Sequence, residues 1–151
     1  MTSEPYLRKA LPEDIDILLT WANDETTRNN AFNTHQISLE EHKQWFNEKL
    51  NSDKTEIYIY CIDKTPIGQI RIDTTDNIGL ISYSIDSSYR KQGHGRKILE
   101  LLEQTVKKDI SAIKLLVAKV KKENIPSQRI FEKLSYKCSD KDDYIEYEKH
   151  V

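Results

Sequence analysis

Apolar positions follow a helical period at the start of the chain and a two-residue period in its centre. Tyr6 to Lys9 reads as a short opening strand. Behind Pro12-Glu13-Asp14, a favourable helix start, Ile15, Leu18, Leu19 and Ala22 recur at helical spacing. Asn23 to Gln36 sustains no period and reads as a loop or broken helix. Ser38-Leu39-Glu40-Glu41 has the form of a capping box and opens a second helix with an apolar stripe of Leu39, Phe46 and Leu50. From Glu56 to Ile62 the pattern alternates, with Ile57, Ile59 and Cys61 set against Tyr58, Tyr60 and Ile62. Asp63-Lys64-Thr65-Pro66 interrupts it and Ile67 to Asp73 resumes it, which predicts an antiparallel hairpin.

Ile78 to Ile85 makes a further strand, feeding a glycine turn and a helix from near Gly95 with Ile98, Leu99, Leu102 and Val106 on one face. Leu115 to Ala118 is almost continuously apolar, as expected of a central strand covered on both faces. Asn124 can cap a helix starting near Ile125 and Pro126. Tyr136 to Ser139 and Tyr144 to Tyr147 flank the polar turn Asp140-Lys141-Asp142-Asp143 and predict a closing hairpin. The order of elements predicts an α/β domain built on a mixed sheet.

At 151 residues, one domain spanning 1-151 is expected. A net charge of -2 lacks the basic excess of nucleic-acid binders, so no nucleic-acid partner is expected. The lysines at 107–108 and 119–122 read as solvated surface. No apolar run approaches the ~20 residues that cross a bilayer, and Met1-Thr2-Ser3-Glu4-Pro5 does not open like a signal peptide; a cytoplasmic protein without a membrane partner is expected. Cys61 and Cys138 stand far apart and outside any C-x-x-C pair, which predicts buried free thiols and no metal site.

The chemistry concentrates in Arg90-Lys91-Gln92-Gly93-His94-Gly95-Arg96, between a strand and a helix. The free N–H groups of a helix's first turn, with its positive dipole end, attract an anion, and glycine lets oxygens approach without a Cβ in the way. Two of the chain's four glycines lie in this turn, and Arg90, Lys91 and Arg96 surround them with positive charge. A tight strand-to-helix turn is the structural alternative.

With Ile85 to Tyr89 before it, this segment resembles the pyrophosphate-binding segment of the GNAT N-acetyltransferase superfamily, [Arg/Gln]-x-x-Gly-x-[Gly/Ala] after Val-x-Pro. Arg90, Gly93 and Gly95 match the pattern, Ile85 replaces valine, and Ser87 stands where proline is common. Asn124 to Tyr136 resembles the family's next helix, which opens Asn-x-x-[Ser/Ala] and closes Lys-Leu-Gly-[Phe/Tyr]. The resemblance covers nearly the whole chain. It implies a GNAT-like α/β fold: a mixed, mostly antiparallel sheet flanked by about four helices, with splayed central strands forming an acetyl-coenzyme A cleft. It further implies that Lys91, Gln92, Gly93, His94, Gly95 and Arg96 hold the pyrophosphate and that Arg90 belongs to the same binding segment. Pantetheine would run beside Ile85, with Asn124 and Ser127 lining the cleft.

In the mechanism so implied, a neutral amine attacks the thioester directly, a backbone N–H near Ile85 holds the oxyanion, and neither cysteine acts as nucleophile. The chain departs from many relatives at Phe131, where they place a general-acid tyrosine; Tyr83 and Tyr136 are the candidate replacements. For the base, Leu80 stands where some relatives carry glutamate, leaving Asp73 or Glu41 acting through water. His94 is expected to face solvent, and His42 to be helix surface or packing. Trp21 to Phe32 and Ile37 to Phe46 are similar to a subgroup acting on nucleotide-linked amino sugars. That likeness implies a UDP-linked acceptor, with Arg28 on a phosphate and Trp21, Trp45 or Phe32 stacking on a ring. A protein N-terminal or small-amine acetyltransferase, and a non-catalytic acyl-coenzyme A sensor, are the other readings. Closure of residues 23–36 over the acceptor side distinguishes them. Oligomeric state is not legible in these residues.

Overall fold

The computed structural model describes residues 3–151. Its seven strands are β1 (Tyr6–Lys9), β2 (Thr55–Ile62), β3 (Thr65–Thr75), β4 (Ile78–Ile85), β5 (Leu115–Lys121), β6 (Lys137–Asp140) and β7 (Tyr144–His150). They form one sheet in the order β1-β2-β3-β4-β5-β7-β6, antiparallel everywhere except between β4 and β5. Five α-helices accompany it: α1 (Ile15–Ala22), α2 (Glu25–Asn30), α3 (Leu39–Leu50), α4 (His94–Asp109) and α5 (Ile125–Lys133).

The alternation in β2 does what the sequence predicts. Tyr58 and Tyr60 join Ile70, Ile72, Ile81, Leu99, Leu102, Leu116, Phe131 and Tyr147 in a core against α4 and α5. Ile57, Ile59 and Cys61 face the other way, into a smaller core with Leu18 and Trp21 of α1 and Phe46 of α3. Burying both rows of β2 fixes its register, because a slip by one residue would exchange the two sets.

Four sequence expectations change in detail. The β2–β3 connection is a two-residue turn with positive φ at Asp63 and Lys64, so β3 starts at Thr65 and Pro66 lies inside it, opposite Cys61 where the register shifts. A proline fits there because the bulge relaxes the demand for a ladder N–H. The unpatterned stretch after Ala22 contains α2, capped by the Asp24 carboxylate on Thr27 N–H at 3.1 Å. The buried face of α3 is His42 and Phe46, while Leu39 is exposed. Cys138 is exposed and only Cys61 is buried.

Candidate active site at the split in the sheet

Strands β4 and β5 share just three residue pairs, Ile78–Leu115, Gly79–Leu116 and Leu80–Val117. Beyond Leu80 and Val117 they part, while β4 stays paired with β3 through Ile85 and β5 with β7 through Lys121. One edge of Ile81 to Ile85 and one edge of Ala118 to Lys121 therefore lack strand partners. Backbone N–H and C=O groups left so are a template for an extended, amide-bearing ligand.

The strand after the split leads into a 3-10 turn, Ser87–Tyr89, and then into the N-terminus of α4. Gly93 precedes that helix at φ +87°, no side chain caps it, and a Cβ built at Gly93 would meet nothing within 4 Å. Lys91 also takes a left-handed φ of 62°. The first-turn amides of α4 thus face open space uncapped, the condition in which a helix end binds an anion. Gly95 serves a different purpose: a Cβ there would stand 2.7 Å from Ile130 Cδ1, so its lack of a side chain lets α4 and α5 approach. Arg96 is exposed and paired with Glu100 at 2.9 Å, and Gln92 is exposed.

His94 does not face solvent as expected. Its Nδ1 lies 2.9 Å from the hydroxyl of Tyr60, a residue with no exposed surface, and its ring meets Tyr60 and Tyr89 edge-on. Burial pushes the Tyr60 phenol up to about 12, so it keeps its proton at neutral pH. Tyr60 was invisible as a site residue in the sequence because its place in the alternating β2 pattern reads as core.

Under the split, the Tyr83 hydroxyl lies 2.7 Å from Ser127 Oγ. A Cβ on Gly95 would stand 4.0 Å from the same hydroxyl, so Tyr83 reaches the seam between the first turns of α4 and α5. Burial raises the Tyr83 phenol, opposed by its hydrogen bond with Ser127. Asn124 turns its side-chain oxygen back onto Ser127 N–H at 3.4 Å, a helix cap. Phe131 is fully buried, edge-on to Tyr83 with ring centroids 6.2 Å apart.

Tyr136, the other candidate acid, is a packing residue. Its ring sits 4.9 Å from Phe131, and its hydroxyl is sealed from solvent without a hydrogen-bond partner. Burial, and secondarily the charge of Glu103, raise its phenol.

On the opposite face of the sheet, Trp21 is only 3% exposed and donates its indole N–H to Asp86 at 2.8 Å, so neither ring face is open to stack on a ligand. Arg28 spends Nη1 on the carbonyls of Asn33 and His35, at 3.0 and 3.3 Å, and shapes the loop after α2. Trp45 carries the Arg71 guanidinium over its ring at 5.1 Å. Phe32 is 56% exposed and meets Tyr144 edge-on at 5.7 Å, with Lys119 Nζ 5.6 Å from the same tyrosine ring.

Asp73 is spoken for: Thr55 and Lys49 contact Oδ1 at 2.7 and 3.0 Å, and Arg71 contacts Oδ2 at 2.9 Å. Burial pushes its carboxyl up, but these partners together hold it below the ordinary value of 3.8, which makes it a poor base. Glu41 lies exposed on α3. Short helix α2 crosses the mouth of the split. Its first end is tied by Asp24 Oδ2 to Arg90 Nη2 at 2.6 Å, and its last by Asn29 O to Lys121 Nζ at 3.0 Å.

The model of the acetyltransferase (GNAT) domain matches residues 6–137. A comparison with curated proteins gives no match. Among solved structures, a domain from Methanocaldococcus jannaschii DSM 2661 superposes with a TM-score of 0.85 at 19% identity, covering 99% of each chain. Spermidine N-acetyltransferase from Vibrio cholerae, in complex with CoA and spermine, gives 0.86 at 11% identity over 97% of this chain and 95% of that one. The aminoglycoside acetyltransferase AAC(6')-Ib in complex with coenzyme A gives 0.81 at 17% identity, again over 97% and 95%. The family match over most of the chain, on a sheet split beside a bare helix N-terminus, makes this protein a member of the GNAT acetyltransferases, an acetyl-coenzyme A-dependent N-acetyltransferase.

Proposed function

We propose that this enzyme moves the acetyl group of acetyl-coenzyme A directly onto the primary amine of a small acceptor, and that the acceptor is the 4-amino group of a UDP-linked amino sugar. The cofactor's diphosphate lies on the amides of Lys91 to Arg96, and its pantetheine arm adds to the free edges beside Ile85 and Ala118. Ser127 and Asn124 stand at the base of that cleft. The amine nitrogen attacks the thioester carbon, the oxyanion is held by a backbone N–H near Ile85, and the C–S bond breaks on collapse. The amine's proton passes to water, since Asp73 is engaged by Lys49, Arg71 and Thr55. Tyr83 protonates the leaving thiolate and is reprotonated through Ser127. A phenol from β4 thereby replaces the one that Phe131 cannot supply from α5.

The observation that carries a small acceptor is the position of α2. Fastened to Arg90 on one lip and Lys121 on the other, it closes the mouth through which a polypeptide substrate would run. Phe32, exposed beside Tyr144 and Lys119, offers a ring and a cation to a nucleotide or sugar. Polyamines and aminoglycosides are the second reading, favoured by the acceptor classes in the names of the two enzymes of like fold. The test is release of coenzyme A from acetyl-coenzyme A against UDP-amino sugars, aminoglycosides, polyamines and peptides. Turnover of a UDP-4-amino sugar in preference to the rest is expected. Turnover confined to peptides overturns the small-acceptor reading, and binding of the cofactor without turnover of any amine overturns the enzymatic one.

A further inference from the structure

The arginine of the glycine-turn segment is engaged by protein groups on both of its ends. Arg90 Nη2 lies 2.6 Å from Asp24 Oδ2 and 3.4 Å from Thr27 Oγ1, while Nε donates to Ile85 O at 3.2 Å. The side chain therefore joins the end of β4 to the cap of α2. A second tie runs parallel to it, from Trp21 at the end of α1 to Asp86, whose other oxygen accepts from Ser88 N–H at 2.9 Å. The two ties grip the Ser87–Tyr89 turn from both sides, immediately before the bare N-terminus of α4.

We propose that Asp24 and Arg90 are positioning residues, forming a latch that couples the acceptor-side helix α2 to the diphosphate loop, and that Arg90 is not a phosphate ligand. The inference rests on the proposed placement of the diphosphate. Asp24 has two tasks at one carboxylate: it caps Thr27 N–H at 3.1 Å and receives Arg90 on the same oxygen. Burial pushes the Asp24 carboxyl up, but Arg90 and the Thr27 amide hold it below the ordinary 3.8, so the pair stays charged at neutral pH. The latch therefore holds the loop in place for a diphosphate, and settling α2 over an acceptor fixes the loop further. Such shared contacts give binding at one site an effect on the other that is equal in both directions.

Asp24→Asn separates the two tasks, because asparagine caps a helix as well as aspartate does but carries no charge for Arg90. We expect Asp24→Asn and Arg90→Gln each to weaken coenzyme A, measured by calorimetry, by a similar factor of about tenfold. The double variant should be no weaker than either single one, the mark of residues acting as a unit. In turnover, KM should rise for both substrates while kcat stays within about twofold. Hydrogen exchange at residues 25–30, read without any ligand, should speed up in both single variants. If Arg90→Gln weakens coenzyme A while Asp24→Asn leaves it unchanged or tighter, Arg90 is a phosphate ligand and the latch is wrong. Unchanged exchange in α2 sinks it equally. Failure of the unmodified protein to bind coenzyme A would instead overturn the proposed function, and the exchange measurement would still decide the latch.

Discussion

Helices α4 and α5 open onto the same split and begin in opposite ways. Helix α5 starts on Asn124, whose side chain accepts from Ser127 N–H, and carries Pro126 in its first turn, a residue without an N–H to satisfy. Helix α4 starts on Gly93, left-handed and without any side-chain cap. Glycine in place of a capping side chain costs a helix only about a few tenths of a kcal/mol, and α4 is the longer of the two and carries five buried side chains that can absorb it. The contrast separates scaffold from candidate site: α5 is completed by its own sequence, whereas α4 leaves its first-turn amides without a side-chain partner, the condition that suits an anion.

Substitutions at the two ends test that contrast. Gly93→Asp should lower coenzyme A affinity by about 100-fold, because a carboxylate there repels the diphosphate and caps the amides itself, on a backbone strained for any residue with a Cβ. Asn124→Asp, which puts the same charge on the end that is already capped, should change affinity by less than about threefold; calorimetry showing equal losses would erase the distinction between the helices. Between them, Tyr83→Phe should reduce kcat by about 10- to 100-fold with the KM for acetyl-coenzyme A unchanged. Its phenol is raised above the ordinary 10 by burial, against the Ser127 hydrogen bond, so it stays protonated through neutrality. The pH profile of kcat should accordingly show no loss from this group until above pH 10.

Smaller effects should appear in stability alone. Asn124→Ala should cost about 1 kcal/mol in denaturant unfolding, with coenzyme A affinity nearly unaltered. At the far end of α5, Ser135 sits at φ 68°, with Ser135 N–H bonded to Glu132 O and Tyr136 N–H to Phe131 O, the paired bonds of a helix ending that favours glycine. Ser135→Gly should therefore stabilise the protein by about 0.5–1 kcal/mol without touching the cofactor site, and a loss of stability there would contradict the strain.

The sheet and its helices were legible because local pattern and tertiary burial agree in them. Both rows of β2 are apolar, and both are buried. The turn around Gly93 was legible because glycine is scarce in this chain. Gly95 was readable as special but not as to why, since its constraint comes from Ile130, thirty-five positions away. Side chains that link distant segments left no periodic trace. The Asp24–Arg90, Trp21–Asp86 and Tyr60–His94 pairs span 66, 65 and 34 positions, and the sequence offered Arg90, Trp21 and His94 only the ligand roles that the family resemblance implies. Asp24 had one local signal, a capping residue three positions before Thr27, in a stretch too short and polar to read as helix.

Only three rungs join β4 to β5, so within the sheet a four-strand panel and a three-strand panel meet at a short hinge. An extended arm laid along both free edges would act as a zipper, adding rungs where the protein left them out. Donor binding should then make the two panels melt together, and the empty enzyme should show its first thermal softening along that seam.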